Sequence, residues 1–319
     1  MFTRSKLNPI LKPNHAITWQ AQKVYNPTVI YEKNIYKIFF RAMGNDGISR
    51  LGCGESSDGE KFIFSEQPAL VPSLPSETFG VEDPRLTKIN DRYFLTYTGY
   101  DCQSARLHLA TSLDLKNWQK HGQMLQNWDF LAASGFIVRW DMAQQSSIAR
   151  HAWCKAGGIF NELIDGKYMM LFGDRHIWQA FSNDGLHWQA VKMPFIKPRP
   201  GFFDSIHVEM GPAPIKTKKG WLIIYHGIDE KIIYRLGIIL LDIKNPKKIL
   251  YRSGQPIFEP SADYETSGII DLDKTNKPKV VFCNGATVVD GQLRIFYGAG
   301  DTYICTAIAP LHDILKNTV

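Results

Sequence analysis

The densest group of chemistry-bearing residues in this sequence is Glu82-Asp83-Pro84-Arg85. Two adjacent carboxylates meet a proline, which fixes its own φ and pushes Asp83 toward extended geometry, and an arginine with a permanent charge. Such a run is ordinarily a solvated turn at the start of a strand. It can also hold an acid in place, because Glu82 beside Asp83 would raise the pKa of a group that must donate a proton. Asn26, Lys155, Glu209 and Asn284 occupy comparable places in the chain, and a second set comprises Arg41, Tyr100-Asp101, Asp174-Arg175, His226 and Gly298 to Asp301. Carboxylates mixed with cations and amides suit sugar chemistry, in which an acid protonates the leaving oxygen while a nucleophile approaches the other face. Lys155, His226 and Arg175 are suited to an anion that a simple hydrolase would not need.

Other chemistries find little support. No H-E-x-x-H or C-x-x-C appears and the histidines are dispersed, so no metal is expected. No G-x-G-x-x-G or P-loop opens a helix, and no G-x-S-x-G elbow is present. The net charge of +6 is mild and spread out, which favours a small anionic substrate over nucleic acid. No apolar run reaches the length of a membrane span, and the N-terminus lacks the apolar core of a signal peptide. The 5 cysteines are scattered, which reads as free thiols in a reducing cytoplasm.

The elements that would position these residues are strands. Short runs rich in Val, Ile, Tyr, Phe and Trp alternate with Asn, Asp and Gly turns, and long helical periodicity is nearly absent. Three phrases recur, Ser57-Asp58-Gly59 with Phe62, Ser112-Leu113-Asp114 with Trp118, and Ser182-Asn183-Asp184-Gly185 with Trp188. Each reads as one tight turn with a ring beneath it. Strand runs Tyr36 to Phe40, Tyr93 to Tyr97, Tyr168 to Phe172, Trp221 to Tyr225 and Leu293 to Tyr297 repeat roughly every 55 to 75 residues. Each follows a turn and a first strand, near Asn26-Pro27, Asp83-Pro84, Lys155 to Phe160, Gly211 to Ile215 and Asn284 to Val289. Five such antiparallel units point to an all-β, five-bladed β-propeller spanning residues 1–319, ahead of a pair of β-sandwiches. Residues 128–149 break the pattern as a connecting loop near the site. The tail from Pro310 reads as a short helix, and the first residues up to Ile17 would pack outside or close the ring.

Four motifs carry a resemblance to a known family. Gly80-Val81-Glu82-Asp83-Pro84-Arg85, Gly220 to Gly227, Tyr234-Arg235-Leu236-Gly237 with Leu240-Leu241-Asp242, and Tyr297 to Thr302 resemble glycoside hydrolase family 130, over nearly the whole chain. That family comprises β-mannoside phosphorylases and some β-mannosidases. The resemblance implies an inverting mechanism with Asp83 as the single acid, its proton passing through the mannose 3-hydroxyl while inorganic phosphate attacks the anomeric carbon. Asn26, Arg41 and Asp301 would then hold the mannose, with Glu82, Arg85, Asp101, Asp174 and Glu209 also lining the sugar site. Lys155, His226, Tyr234, Arg150 and Arg175 would contact phosphate. The implied partners are a β-mannoside oligosaccharide and phosphate as co-substrate, with no cofactor, no nucleic acid and no membrane. A homo-oligomer through blade edges would also fit that family.

Two departures keep alternatives open. Cys154-Lys155-Ala156-Gly157 and Phe172-Gly173-Asp174-Arg175 differ from the N-K-D-G and His-Arg of many phosphorylases. The run Val208-Glu209-Met210-Gly211-Pro212 resembles hydrolytic members, in which a glutamate stands there. An inverting β-mannosidase with Glu209 activating water is therefore the second reading. A glycan-binding propeller without turnover is the third.

Overall fold

The computed structural model describes residues 2–125, 153–267, 279–316 and 318. Two-residue turns such as Lys33-Asn34 (φ 52° and 62°) and Asp165-Gly166 (φ 50° and 75°) are left-handed at both positions. That geometry lets adjacent strands twist together as hairpins. After β1 (Thr3–Arg4), the first unit runs β2 (Lys23–Glu32), β3 (Ile35–Met43), β4 (Ser49–Ser56) and β5 (Ile63–Phe64). The second holds β6 (Gly80–Ile89), β7 (Arg92–Tyr100), β8 (Ala105–Ser112) and β9 (Gln119–Gln123). The third is smaller, with β10 (Gly158–Ile159), β11 (Tyr168–Phe172), β12 (Trp178–Ser182) and β13 (Trp188–Ala190). In the fourth, β14 (His207–Met210) and β15 (Ile215–Thr217) both pair with β16 (Gly220–Ile228), followed by β17 (Ile233–Leu241) and β18 (Ile249–Arg252). The fifth joins β19 (Lys279–Val289), β20 (Gln292–Ala299) and β21 (Tyr303–Pro310). Its outer strand comes from the other end of the chain, because β1 pairs antiparallel with β21, Thr3 opposite Ile308.

The expected all-β class holds, and neighbouring pairs in each unit are antiparallel. The units are welded by cores that lie between them. Leu95 and Tyr97 pack with Phe39 and Leu51, while Met170 and Trp178 pack with Phe94 and Leu107. Trp221 and Ile223 join Leu171 and Ile177, Val281 and Ile295 join Leu222 and Ile224, and Phe296 and Ile304 join Val24 and Ile38. The last pairing brings the fifth unit back to the first.

Some expected details shift. The turn phrase is capped by Ser56 rather than Ser57: Ser56, Ser112 and Ser182 each accept backbone N–H groups, and Asp58, Asp114 and Asp184 accept the next two. The inner strand of the fourth unit begins at His207, before Gly211. The tail forms the short helix Leu311–Leu315 as expected. Residues 128–149 and Arg150 lie outside the described residues. Among the described residues no helix is long and apolar enough to cross a membrane.

One position on the second strand is aromatic in every unit: Phe40, Tyr97, Phe172, Tyr225 and Tyr297. The three tyrosines each donate to a fully buried acid that precedes the inner strand, Glu77 (2.6 Å), Asp204 (2.7 Å) and Glu265 (2.7 Å). A cation from the outermost strand completes each set: Lys120 on β9, Arg252 on β18 and Arg4 on β1. Glu77 and Glu265 also accept two backbone N–H groups each, from Ser73 and Leu74 and from Ser261 and Ala262. These are saturated buried charges, the arrangement in which burial is tolerated.

Candidate active site

Opposite those aromatics the inner strands bulge. The register slips between Tyr25 and Thr28, between Glu82 and Arg85, and between Phe282 and Gly285. Asn26 and Asp83 sit in the first two slips with φ 49° each, and Ala156 (φ 62°) takes the matching place just before β10. A bulge breaks the alternation by which neighbours on a strand face opposite sides. Glu82 and Asp83 therefore enter one charge network despite being adjacent. A left-handed non-glycine backbone costs on the order of 1–3 kcal/mol and persists where the surroundings impose it.

Asp83 is buried, and its Oδ1 accepts from Asn26 Nδ2 at 2.7 Å and from Arg41 Nη1 at 3.4 Å. Arg41 also donates to Glu82 Oε1 at 2.5 Å, and Ser49 Oγ donates to the same oxygen at 3.0 Å. Burial pushes the Glu82 carboxyl up, with Asp83 adding to the rise. Asp83 goes the other way: burial raises it, but Arg41, Lys155 and the Asn26 amide outweigh that and hold it below its ordinary value. The expectation that Glu82 would raise the pKa of Asp83 is thus reversed: the combined pull of Arg41, Lys155 and the Asn26 amide outweighs burial at Asp83, and it is Glu82 that is raised. Asp301 (φ 52°) belongs to the same network, its carboxyl raised by burial against the pull of Lys23 and Arg41.

A second cluster faces this one. Glu209 is 1% exposed, with Oε1 at 3.0 Å from Lys155 Nζ and 3.7 Å from Arg85 Nη2, and Oε2 at 3.4 Å from His207 Nε2. Burial opposes its ionisation, yet Lys155 and His207 drive its pKa far below the carboxylate range. Asp174 Oδ1 lies 3.3 Å from His207 Nε2 and 3.9 Å from Lys155 Nζ. Asp174, His207 and Glu209 bring donor atoms within 4.8 Å of one another, the spacing of a metal site. The Lys155 ammonium already supplies a cation beside two of them. His226, across from Glu209 on β16, is stacked on Phe282 at 3.9 Å and accepts from the Cys283 N–H through Nε2 at 2.9 Å. Burial lowers its pKa to about 3, so it is neutral, and Nε2 also lies 3.1 Å from the Cys283 carbonyl. Its Nδ1 has no hydrogen-bond partner.

The expected residues divide. Asn26, Arg41, Glu82, Asp83 and Asp301 come together, as do Lys155, Asp174, Glu209 and His226, with Tyr234 joining through Phe282 at 6.0 Å. Arg175 lies beside His207, to whose Nε2 its backbone N–H is 3.5 Å away. Arg85 is not presented to a substrate: its guanidinium donates to the carbonyls of Gly211 (2.7 Å), Met210 (2.6 Å) and Asp83 (3.1 Å), tying the second unit to the fourth. Asp101 instead caps its own turn, accepting from the backbone of Gln103 and Ser104. His207 was missed; its place two residues before Glu209 on one strand was the available signal. Lys155 and Glu209 take the position of Glu82 rather than that of Asp83, and Cys283 rather than Asn284 starts the fifth-unit bulge.

A fold of antiparallel units that sets a buried aspartate against a cationic cluster suits an enzyme acting on glycosidic bonds. The family model described as β-1,4-mannooligosaccharide phosphorylase matches residues 4–318, and the chain belongs to that family, glycoside hydrolase family 130. It is similar to a 1,2-β-oligomannan phosphorylase of Thermoanaerobacter sp. (strain X514), 34% identical over 319 residues and 96% of each chain. A β-1,2-mannobiose phosphorylase of the same organism is 35% identical over 324 residues, again covering 96% of each. A solved structure carries the description that the GH130 family of mannoside phosphorylases contains glycoside hydrolases targeting β-1,2 mannosidic linkages in Candida mannan. It aligns with TM-score 0.82 and 27% identity, over 97% of this chain and 93% of its own.

Proposed function

We propose that the chain is an inverting β-mannoside phosphorylase with Asp83 as proton donor and a mannosyl oligosaccharide and phosphate as substrates. The five mutually packed units and the strand lent by the N-terminus support a five-bladed propeller, with the bulged inner strands around its axis. Asn26, Arg41 and Asp301 hold the mannose beside Asp83. Lys155, His226 and Tyr234 receive the phosphate, with the neutral His226 ring presenting its unpartnered Nδ1. In the reaction the C1–O glycosidic bond breaks as a phosphate oxygen bonds C1 from the opposite face. The Asp83 proton goes to the leaving oxygen, directly or through the 3-hydroxyl, and the sugar phosphate returns a proton to Asp83. Phosphate loading also prepares the acid: a dianion beside Lys155 offsets a charge that keeps the Asp83 pKa low.

The observation that carries this reading over a water-activating Glu209 is the enclosure of that carboxylate. Glu209 is 1% exposed, sits against Lys155, Arg85 and His207, and its strongly depressed pKa leaves it little affinity for a proton from water. The β-1,2 linkage is the first to test, because it is named for both 34–35% identical relatives. Purified protein given β-1,2-mannobiose should release mannose and α-mannose 1-phosphate only when phosphate is present. Equal cleavage in phosphate-free buffer would overturn the phosphorylase reading in favour of hydrolysis. A protein that binds the disaccharide without cleaving it under either condition would leave a glycan-binding propeller.

A further inference from the structure

A carboxylate at the rim of an anion site is a misfit that calls for explanation. Glu209 is the more enclosed acid of the cationic cluster, its side chain 1% exposed, and Asp174, on the turn after β11, is the more accessible one at 8%. The accessible edges of Lys155 and His207, 16% and 17% exposed, flank it. Its Oδ1 is within 3.3 Å of His207 Nε2 and 3.9 Å of Lys155 Nζ, so an anion reaching Lys155 must also meet this carboxylate. The turn is fixed: Gly173 (φ 129°) donates its N–H to the Lys155 carbonyl at 2.9 Å, and Arg175, just after Asp174, is left-handed at φ 68°.

An ionised carboxylate repels any anion that cannot donate to it. Near neutral pH, phosphate carries at least one P–OH in either of its common forms, whereas sulfate carries none. We infer that Asp174 is a specificity residue, accepting the P–OH of bound phosphate while Lys155 neutralises the charged oxygens, so that the site takes phosphate and rejects fully ionised tetrahedral dianions. The inference rests on the phosphorylase reading and adds the chemical form of the anion. It follows the general asymmetry of polar recognition: a site built around one hydrogen bond penalises the analogue that leaves its buried group unpaired.

The test is competition. In wild-type phosphorolysis of β-1,2-mannobiose, sulfate and monofluorophosphate, both lacking the donor proton, should inhibit weakly against phosphate. Asp174→Asn puts an amide donor in the same shape. It should raise the KM for phosphate about tenfold or more and strengthen sulfate inhibition by a similar factor, with kcat at saturating phosphate within a few-fold of wild type. Calorimetric titration of sulfate into each protein makes the comparison without turnover and covers the case in which the variant is inactive; there the variant should bind sulfate more tightly than wild type. Unchanged sulfate affinity and inhibition in Asp174→Asn would overturn the inference. A wild type that needs no phosphate would instead defeat the reading beneath it, so the two failures are separable.

Discussion

Charge is buried in two ways in this chain. In the three tyrosine-acid-cation sets every oxygen of Glu77 and Glu265 is met, by a tyrosine hydroxyl, backbone N–H groups and Lys120 or Arg4. Around the bulges the polar atoms are conspicuously under-used. Asn26 Oδ1, His226 Nδ1 and both amide atoms of Asn284 are buried without a hydrogen bond. The two kinds of site face each other across the same strands, since Tyr225 and His226 are neighbours on β16. Saturated groups hold the sheets together, and under the proposed function the unsaturated ones around the bulges are kept for its ligands.

The comparison breaks first, if it breaks, at Asp83. Asp83→Asn retains the shape and can keep a contact with Asn26, so the fold should be nearly unchanged. Turnover should fall by roughly 10²–10⁴-fold, the usual contribution of a positioned acid. Activity assays paired with thermal melts decide it: a large loss of melting temperature with modest loss of rate would class Asp83 with the structural set.

Glu265→Gln is the converse. Breaking a buried, hydrogen-bonded pair by neutralising one partner costs about 3–5 kcal/mol. Denaturant unfolding should show that loss, and kcat at a permissive temperature should stay within a few-fold. Because the cation is Arg4 on β1, removal of the first residues through Arg4 should produce a similar destabilisation. Intact stability in both variants would mean the N-terminal strand does not close the fifth unit.

A pH series sharpens the same point at Glu77. Burial pushes its pKa up, but Lys120, Tyr97 and the Ser73 N–H outweigh it, so the folded value lies below the ordinary 4.5. A depressed folded pKa gives stability that is present above 4.5 and lost as pH falls through the folded value. The stability gap between wild type and Glu77→Gln should therefore be largest near neutrality and narrow in acid. A gap that widened as pH fell would reverse the assignment.

How much of this was legible beforehand follows from where local rules hold. The aromatic run ends Phe40, Tyr97, Phe172, Tyr225 and Tyr297 marked the repeat correctly, because strand patterning and turn residues are local. Asp83 was found through its neighbours in sequence. The shared position is off by one residue at Lys155, Glu209 and Asn284, since a bulge changes register without changing composition. Arg85 and Asp101 looked like site residues by type. Their partners, the Gly211 carbonyl 126 residues away and a turn backbone, are tertiary facts. His207 went unread because its place two residues before Glu209 gains meaning only once folding brings Asp174 beside both.

Asn284 gives the smallest and most discriminating effect. It is fully buried on β19, at the bulge shared with Cys283, and neither end of its amide is paired. An unpaired buried amide costs on the order of 1–3 kcal/mol, so a similarly sized apolar side chain should relieve part of that cost. Asn284→Leu is expected to leave stability unchanged or raise it by up to about 1 kcal/mol, while the KM for mannobiose or phosphate rises. A gain in stability with a loss of affinity is what a group held ready for a ligand predicts. A clear loss of stability with both KM values unchanged would place Asn284 with Glu77 and Glu265 instead, and unsatisfied burial would no longer separate the two regions.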